Sequence, residues 1–492
     1  MQRRTTLTAE DRQYFSRIVE VTYMNAFDPA RNRILVELAG GTPGMPGEVA
    51  FGAVIPEMNA RIAHLERQGL DTVPKFAGED QPLMRPIFLY QVYNRYMPDL
   101  DLAIAEHLRN KDAPVPVAER LITDAVSRGV DEAEALHYFA CFFQLRRAFT
   151  FILNSLVGHS PSIHQLRYAL WNNVFTKDMR AFDRGLWARM EDFSTLLLGE
   201  TGTGKGSAAA AIGRSVYIPF DRAKGRFAVS FTESFIATNL SQFPETLIES
   251  ELFGHSKGAF TGAVDDHKGL FELCSSHGAL FLDELGELAV PLQIKLLHVL
   301  QDRTFSPVGS HQAKRFAGRV IAATNKSITD LRASGQFRDD LFYRLCSDVI
   351  TLPTLRQRLE EDGSELERLV REQIMRLTGK DDANDTQFIL DALKRDLPKN
   401  YPWPGNVREL EQAVRRVLLT HHYRGDLKIA SPEADRSLAS DIHSGKLNAR
   451  EFLSRYCVML YGRTGTIEEV ARRTGLDRRT VKKYLQDERM DD

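Results

Sequence analysis

Residues 195–206 read Thr195-Leu196-Leu197-Leu198-Gly199-Glu200-Thr201-Gly202-Thr203-Gly204-Lys205-Gly206, and this stretch decides the fold. Thr195 to Leu198 is an apolar run with the length of a buried strand. The glycines then free the backbone, and Ser207 to Ile212 resumes as an alanine-rich helix. A G-x-x-x-x-G-K sequence acquires mechanical meaning in this strand–loop–helix setting. Without Cβ atoms, successive N–H groups converge on a phosphate, and the following helix adds its positive end. Lys205 is placed to reach the terminal phosphates. Gly206 stands where the general motif carries the Ser or Thr that binds Mg²⁺, so that contact falls to Ser207 or to water.

At 492 residues the chain is too long for one core, and about three domains are expected. Lys+Arg 64 against Asp+Glu 66 leaves a net charge of −2, so any nucleic-acid contact must come from a local patch. Cys141, Cys274, Cys346 and Cys457 are scattered, with no C-x-x-C pair. A reduced, cytoplasmic protein without a disulfide frame or zinc site is expected. The start of the chain is charged and polar through Arg17, without the apolar core of a signal peptide. The most apolar stretch, Ala135 to Gly158, is broken by Arg146-Arg147 and reads as a buried helix rather than a membrane span.

Residues 1 to about 158 carry no chemical motif. Leu7 to Asn25 has helical periodicity, opened by Thr8 with Asp11 in capping relation. Ile34–Leu38 is strand-like, and Gly40–Gly47 is a loop whose glycine spacing is not that of a dinucleotide site. Helices are expected over Pro56–Gly69, Leu83–Arg109, Val117–Ser127 and Asp131–Leu156. His137, Tyr138, Phe139, Phe142, Phe143, Phe149 and Phe151 crowd the last, which reads as an aromatic helical core rather than a cofactor pocket. No acidic cluster with a downstream Thr and Lys marks a phosphoacceptor domain.

From Ser160 the character changes. A helix opened by Ser160-Pro161 leads through Trp171 and Trp187 to the P-loop strand. Strand-like Arg226–Ser230 and Phe235–Asn239 follow, then Glu251-Leu252-Phe253-Gly254-His255-Ser256-Lys257-Gly258-Ala259-Phe260-Thr261-Gly262-Ala263. Gly278 to Glu284 is an apolar strand ending in two carboxylates, as a nucleotide site at the edge of a parallel sheet requires. Asp283 would hold Mg²⁺, directly or through water, and Glu284 would polarise the attacking water. Arg319 to Asn325 is a further strand, ending in Thr324 and Asn325 where a γ-phosphate could be sensed. Arg338 and Arg344 lie in a helical stretch: they are surface ion-pair partners or, in a ring-forming ATPase, arginine fingers. Pro404 and Gly405 shape the turn before a helix carrying Arg408.

Thr466 to Leu485 reads as a helix, a glycine turn and a second helix capped by Asp477. Ile467, Val470, Leu476, Val481 and Leu485 form its apolar seam, and Ala471 is small enough for close helix crossing. Arg478, Arg479, Lys482 and Lys483, with Thr480 among them, lie on the second helix as a major-groove reader requires.

Taken together, GETGTGKG, ELFGHSKGAFTGA, GALFLDELGE, LLHVLQDRTFSPVG, VIAATN, FRDDLFYRL and WPGNVREL closely resemble the central domain of sigma-54-dependent transcriptional activators, bacterial enhancer-binding proteins of the AAA+ class. The resemblance runs from about Ser160 to Thr420. It implies Walker A at Gly199–Lys205 (Gly199, Glu200, Thr201, Gly202, Thr203, Gly204, Lys205) and Walker B at Asp283 and Glu284. It further implies sensor I at Thr324 and Asn325, trans-acting arginines at Arg338 and Arg344, and sensor II at Arg408. Asn239 falls on the asparagine that restrains the catalytic glutamate, and Gly258–Ala263 on the loop that contacts the sigma factor. Gly206 replaces the family's usual Glu, and apparent insertions near Asn172–Asp192 and Val216–Ala228 flank the P-loop.

The implied architecture is multidomain. It comprises a mainly helical N-terminal regulatory domain (1–158), an α/β P-loop AAA+ domain (159–425, helical lid from about 356), and an all-α helix-turn-helix domain (445–492). The implied function is ATP hydrolysis with Mg²⁺ in a homo-oligomeric ring, a hexamer, that remodels sigma-54 RNA polymerase while bound to enhancer DNA, under an unidentified signal and without membrane contact. Two alternatives stay open: an AAA+ remodelling ATPase for another protein, and a DNA-binding regulator that does not act through sigma-54.

Overall fold

A computed structural model describes residues 6–425, 448–464 and 466–487. Residues 445–447, 465 and 488–492 of the expected C-terminal domain lie outside the described residues. The chain divides into two compact units, residues 1–383 with 405–411 and residues 384–404 with 412–492.

The first unit opens with α1 (Ala9–Tyr23), α2 (Pro29–Leu38), α3 (Gly47–Arg67), α4 (Gln81–Arg109), α5 (Val117–Ser127), α6 (Glu132–Ser155) and α7 (Pro161–Phe175). Thr8 caps α1 as its sequence predicts, its side chain accepting from the Asp11 N–H at 3.1 Å. The strand expected at Ile34–Leu38 is instead the second half of α2. Asp28 accepts from the Ala30 N–H at 2.8 Å and Pro29 holds the first helical position, so the helix is nucleated upstream of the apolar run. Helix α3 likewise starts at Gly47 and carries Pro56 inside it, rather than beginning there.

The sheet comprises β1 (Thr195–Leu198), β4 (Phe235–Asn239), β5 (Ala279–Asp283), β8 (Arg319–Thr324) and β9 (Asp348–Thr351). Their order is β4-β5-β8-β1-β9, with every pairing parallel. Parallel strands release their C-terminal ends along one edge, so Gly199, Asn239, Asp283 and Thr324 leave the sheet together. The strand expected over Arg226–Ser230 shortens to β3 (Arg226–Phe227). It pairs antiparallel with β2 (Phe220–Asp221), outside the main sheet. A third small ladder joins β6 (Thr304–Phe305) to β7 (Lys314–Arg315). Short α8 (Met179–Asp183) precedes β1, and α9 (Lys205–Gly213) follows the P-loop.

Packing does not break at residue 158. One apolar cluster runs from Phe139, Phe143 and Ile152 through Trp171 and Phe175 to Leu197, Ile212 and Ile321. The two insertions beside the P-loop build this junction. Trp187 and Tyr217, one from each, contact the His137 ring at centroid distances of 4.6 and 5.4 Å. Phe220 and Phe227 of the β2–β3 hairpin pack on Phe139, and Arg222 at its tip pairs with Glu119 and Glu132. The segment after β9 is held in the same unit. Glu361 accepts from the Ser162 N–H and Glu365 from the His159 N–H, both at 2.8 Å. The stretch expected as a lid from residue 356 is therefore divided, with residues 356–383 in the first unit.

Within the second unit, helices Ala449–Thr464, Ile467–Thr474 and Arg478–Asp487 bury Cys457, Leu460, Val470 and Val481 against one another. Gly475 ends the middle helix at φ 72°, its N–H returning to the Ala471 carbonyl at 3.0 Å.

Candidate functional site

The P-loop leaves β1 at Gly199 and enters α9 through Gly204, whose φ of 99° is left-handed. Gly202, at φ 81°, is the point of closest approach: a Cβ there would lie 2.0 Å from the Gly405 carbonyl oxygen. Only glycine fits between the loop and that backbone. The Val407 N–H donates to the Gly202 carbonyl at 3.0 Å, so the helix that carries Arg408 (Asn406–Thr420) begins on the P-loop itself.

Lys205 is buried, and its ammonium donates to the Gly199 and Glu200 carbonyls at 2.8 and 3.2 Å. Burial pushes its pKa down, while the Glu284 and Asp283 carboxylates oppose that shift and Arg408 adds to it. Glu284, Asp283 and Arg408 are therefore close enough to act electrostatically on Lys205. Thr203 is buried and donates to the Glu200 carbonyl at 2.8 Å. Asn325 donates its side-chain amide to the Thr201 hydroxyl at 3.0 Å, tying the end of β8 to the P-loop. Thr324 is fully buried and accepts from the Lys326 N–H at 3.1 Å.

Asp283 ends β5 and accepts from the Glu284 N–H at 3.0 Å. Glu284 sits at φ 56°, a left-handed conformation that costs a non-glycine residue about 1 kcal/mol or more. Asn239 lies opposite Asp283 in the β4–β5 register. Its side-chain oxygen accepts from the Ser241 N–H and hydroxyl at 2.9 and 2.7 Å, and no hydrogen bond joins it to Glu284 among the described residues. The restraint expected between Asn239 and Glu284 is thus not made in this conformation, in which the Asn239 oxygen caps the turn that follows β4. Gly206 faces open space, with nothing within 4 Å of a built Cβ, and Ser207 is exposed beside it.

Arg338 is not on a helix but caps one, Asp339–Leu345, and its guanidinium pairs with Asp340 at 2.7 Å. Arg344 donates to the Leu300 carbonyl at 2.9 Å. Neither is bonded to the P-loop of its own chain among the described residues. Two residues that sequence reasoning passed over hold the site together. Arg356 grips Glu200 with two hydrogen bonds, at 2.9 and 2.5 Å. Asn406, fully buried at φ 52°, donates to Glu200 and to the Thr201 carbonyl. Asn406 lies within the turn that Pro404 and Gly405 mark; Arg356 carries no signal beyond its charge.

The Gly258–Ala263 loop closes on itself, the Gly258 N–H donating to the Ala263 carbonyl at 2.8 Å between left-handed Gly258 and Gly262. Phe260 is 41% exposed and rests edge-on against His255, and Thr261 is exposed beside it. Ala263 is buried and Ala259 half-buried beneath this tip. In the second unit, Arg478, Arg479, Lys482 and Lys483 are exposed, with Arg478 drawn to Glu468 at 3.4 Å. Thr480 differs from its neighbours: its hydroxyl is taken by Asp477 at 2.6 Å, and its N–H also bonds that carboxylate. Thr480 completes the helix cap and is half-buried.

Comparison with known proteins is consistent with this geometry. A family model described as "Sigma-54 interaction domain" matches residues 177–351. The chain is 30% identical over 418 residues to the regulatory protein AtoC of Escherichia coli (strain K12), covering 80% of this chain and 86% of that protein. It is 42% identical over 224 residues to a Nif-specific regulatory protein of Bradyrhizobium diazoefficiens, covering 46% of this chain and 35% of that one. The chain thus spans most of the first relative and about a third of the second. Among solved structures, NtrX from Brucella abortus in complex with ATP aligns over 75% of this chain and 79% of that chain, at 23% identity and a TM-score of 0.40.

Proposed function

The chain belongs to the sigma-54-dependent transcriptional activators, and from that membership we propose that it is an ATPase that remodels sigma-54 RNA polymerase to open promoter DNA. The observation that carries the reading is the release of the P-loop, Asp283 and Thr324 from one edge of the parallel sheet, with Asn325 bonded to the P-loop and the Arg408 helix begun on it. Lys205 neutralises the terminal phosphates, and the P-loop N–H groups orient them. Glu284 accepts a proton from the attacking water at its carboxylate. The Asp283 carboxylate and the Ser207 hydroxyl are oxygen donors that suit a hard cation, and open space at Gly206 leaves room for water. Mg²⁺ held there would neutralise charge on the β- and γ-phosphates.

Arg338 and Arg344, unattached to their own P-loop, serve a neighbouring subunit in a ring, a hexamer. The Phe260–Thr261 tip engages the sigma factor, and the Arg478–Lys483 helix binds enhancer DNA. The test is promoter opening by purified protein with sigma-54 polymerase, ATP and a supercoiled template. Open complexes that require hydrolysable ATP support the reading. ATPase activity without open complexes would leave a remodelling ATPase for another protein.

A further inference from the structure

A cavity of about 560 Å³ lies between the N-terminal helices and the first insertion beside the P-loop. Its floor is the α6 face bearing Tyr138, Phe142, Leu145 and Phe149; Trp171 and Phe175 close it from α7. The aromatic crowding on α6 is therefore divided. Phe139, Phe143 and Phe151 fill the core, Tyr138, Leu145 and Phe149 line open space, and Phe142 lies in the core with one edge on the cavity. One polar atom in the walls is unsatisfied: the Trp171 indole N–H is buried without a hydrogen-bond partner among the described residues. Arg31, beside Tyr90, also lines the cavity. A buried donor left unpaired costs about 1–3 kcal/mol, so this N–H and the Arg31 guanidinium in an otherwise apolar wall point to a missing acceptor. Both the volume and the mix of aromatic wall with few polar groups are those of a small-molecule site.

The opposite face of α6 reaches the catalytic machinery. Arg147, 1% exposed and without a carboxylate partner among the described residues, donates to the Arg214 and Val216 carbonyls at 2.9 and 2.8 Å. Gln144 donates to the Ser215 carbonyl at 2.8 Å. These carbonyls lie just past the C-terminal end of α9, where a helix leaves its acceptors open and favours a cation. The cavity's other wall is also wired to the sheet. Asn173 of α7, between Trp171 and Phe175, donates to Thr195 at the start of β1 and to Asp348 at the start of β9. One helix thus carries the cavity on one side and the far end of the P-loop helix on the other.

We infer that this cavity is an effector site for a largely apolar, ring-bearing organic molecule carrying an acceptor oxygen, and that α6 relays its occupancy to the P-loop helix. The acceptor is met by Trp171 and Arg31. The relay half rests on the ATPase reading above; the binding half does not.

The probe is anilinonaphthalene sulfonate, whose rings and sulfonate match the wall and its donors, titrated into the full chain by fluorescence. Saturable binding at one site per chain is expected. Ala26→Trp, which fills the cavity, should abolish it, and Arg31→Ala should weaken it about tenfold. Unchanged binding in an Ala26→Trp protein with native near-ultraviolet dichroism would overturn the site. Should that variant fail to fold, full binding by Arg31→Ala would overturn the role of the donors. Saturating probe should also change the ATPase rate at least about twofold, and Gln144→Leu should bind the probe normally while losing that response. An unchanged rate in an active enzyme would overturn the relay. A chain with no ATPase under any condition would instead overturn the ATPase reading, with the binding result still decisive for the cavity.

Discussion

The side-chain amide of Asn406 bridges the P-loop, donating to the Glu200 carboxylate at 3.1 Å and to the Thr201 carbonyl at 3.0 Å. Its oxygen accepts from the Leu355 N–H at 2.8 Å, so one buried residue joins the loop, the start of the Arg408 helix and the segment after β9. Asn406→Ala removes all three bonds and leaves the buried Leu355 N–H unpaired, at about 1–3 kcal/mol, while Glu200 keeps Arg356. It also places alanine at a left-handed φ that asparagine tolerates better. Chemical denaturation should show lower stability, and ATP should bind more weakly. Wild-type values for both would remove Asn406 from the site.

Glu284→Gln should keep ATP binding and lose most turnover, because the proton acceptor is gone while Lys205 and the P-loop remain. Arg338→Ala should lower turnover by up to about 10³-fold if its guanidinium acts on a neighbour's phosphate. The two variants test each other. Mixed in one ring, an intact Arg338 from the first faces an intact Glu284 from the second, and hydrolysis should partly return. A mixture as inactive as its components would exclude action in trans.

Gly206 occupies open space on the second residue of α9, so a side chain fits there without displacement. Gly206→Thr should lower the Mg²⁺ concentration needed for half-maximal hydrolysis by supplying a hydroxyl. Relief of glycine's backbone entropy in a helix should be worth about 0.5–1 kcal/mol, less for a β-branched side chain. An unchanged Mg²⁺ dependence would mean that Ser207 or water already completes the shell.

Thr261 is exposed at the loop tip, with no role in the nucleotide site. Thr261→Ala should therefore leave hydrolysis and assembly intact while abolishing sigma-54 binding and open-complex formation. Measured side by side, normal open-complex yield would eliminate the loop as the working surface.

Arg479, Lys482 and Lys483 are exposed on the last helix, whereas Arg478 is partly engaged by Glu468. Replacing the first three with alanine should abolish site-specific DNA binding and leave ATPase activity unchanged. Each of these cations that neutralises a phosphate should, once removed, flatten the slope of log K against log salt by about 0.9. An unaltered footprint would return this helix to a structural role.

The sequence by itself determined the P-loop, its flanking strand and helix, the two carboxylates ending β5 and the capped helix pair near the C-terminus. These are local features: a glycine needed for a left-handed turn, an apolar run, a side-chain cap. Each leaves its mark within a few neighbouring residues. At Ile34–Leu38 the apolar run suggests a strand, and the cue that overrides it is the Asp28–Pro29 helix start just upstream.

Tertiary structure alone decided the rest, because it depends on what a face meets after folding. Helical periodicity marks both faces of α6 as aromatic, yet only packing sets Phe143 against the ATPase core and leaves Phe149 facing a cavity. Arg147 reads in the sequence as an interruption of an apolar stretch. Its purpose lies at carbonyls 67 and 69 residues away, and nothing in the local sequence encodes that distance. The same holds for Arg356 and Glu200, and for the insertions whose aromatic residues fasten the N-terminal helices to the P-loop domain. A side chain's chemistry is legible in the chain, but its partner is chosen by the fold.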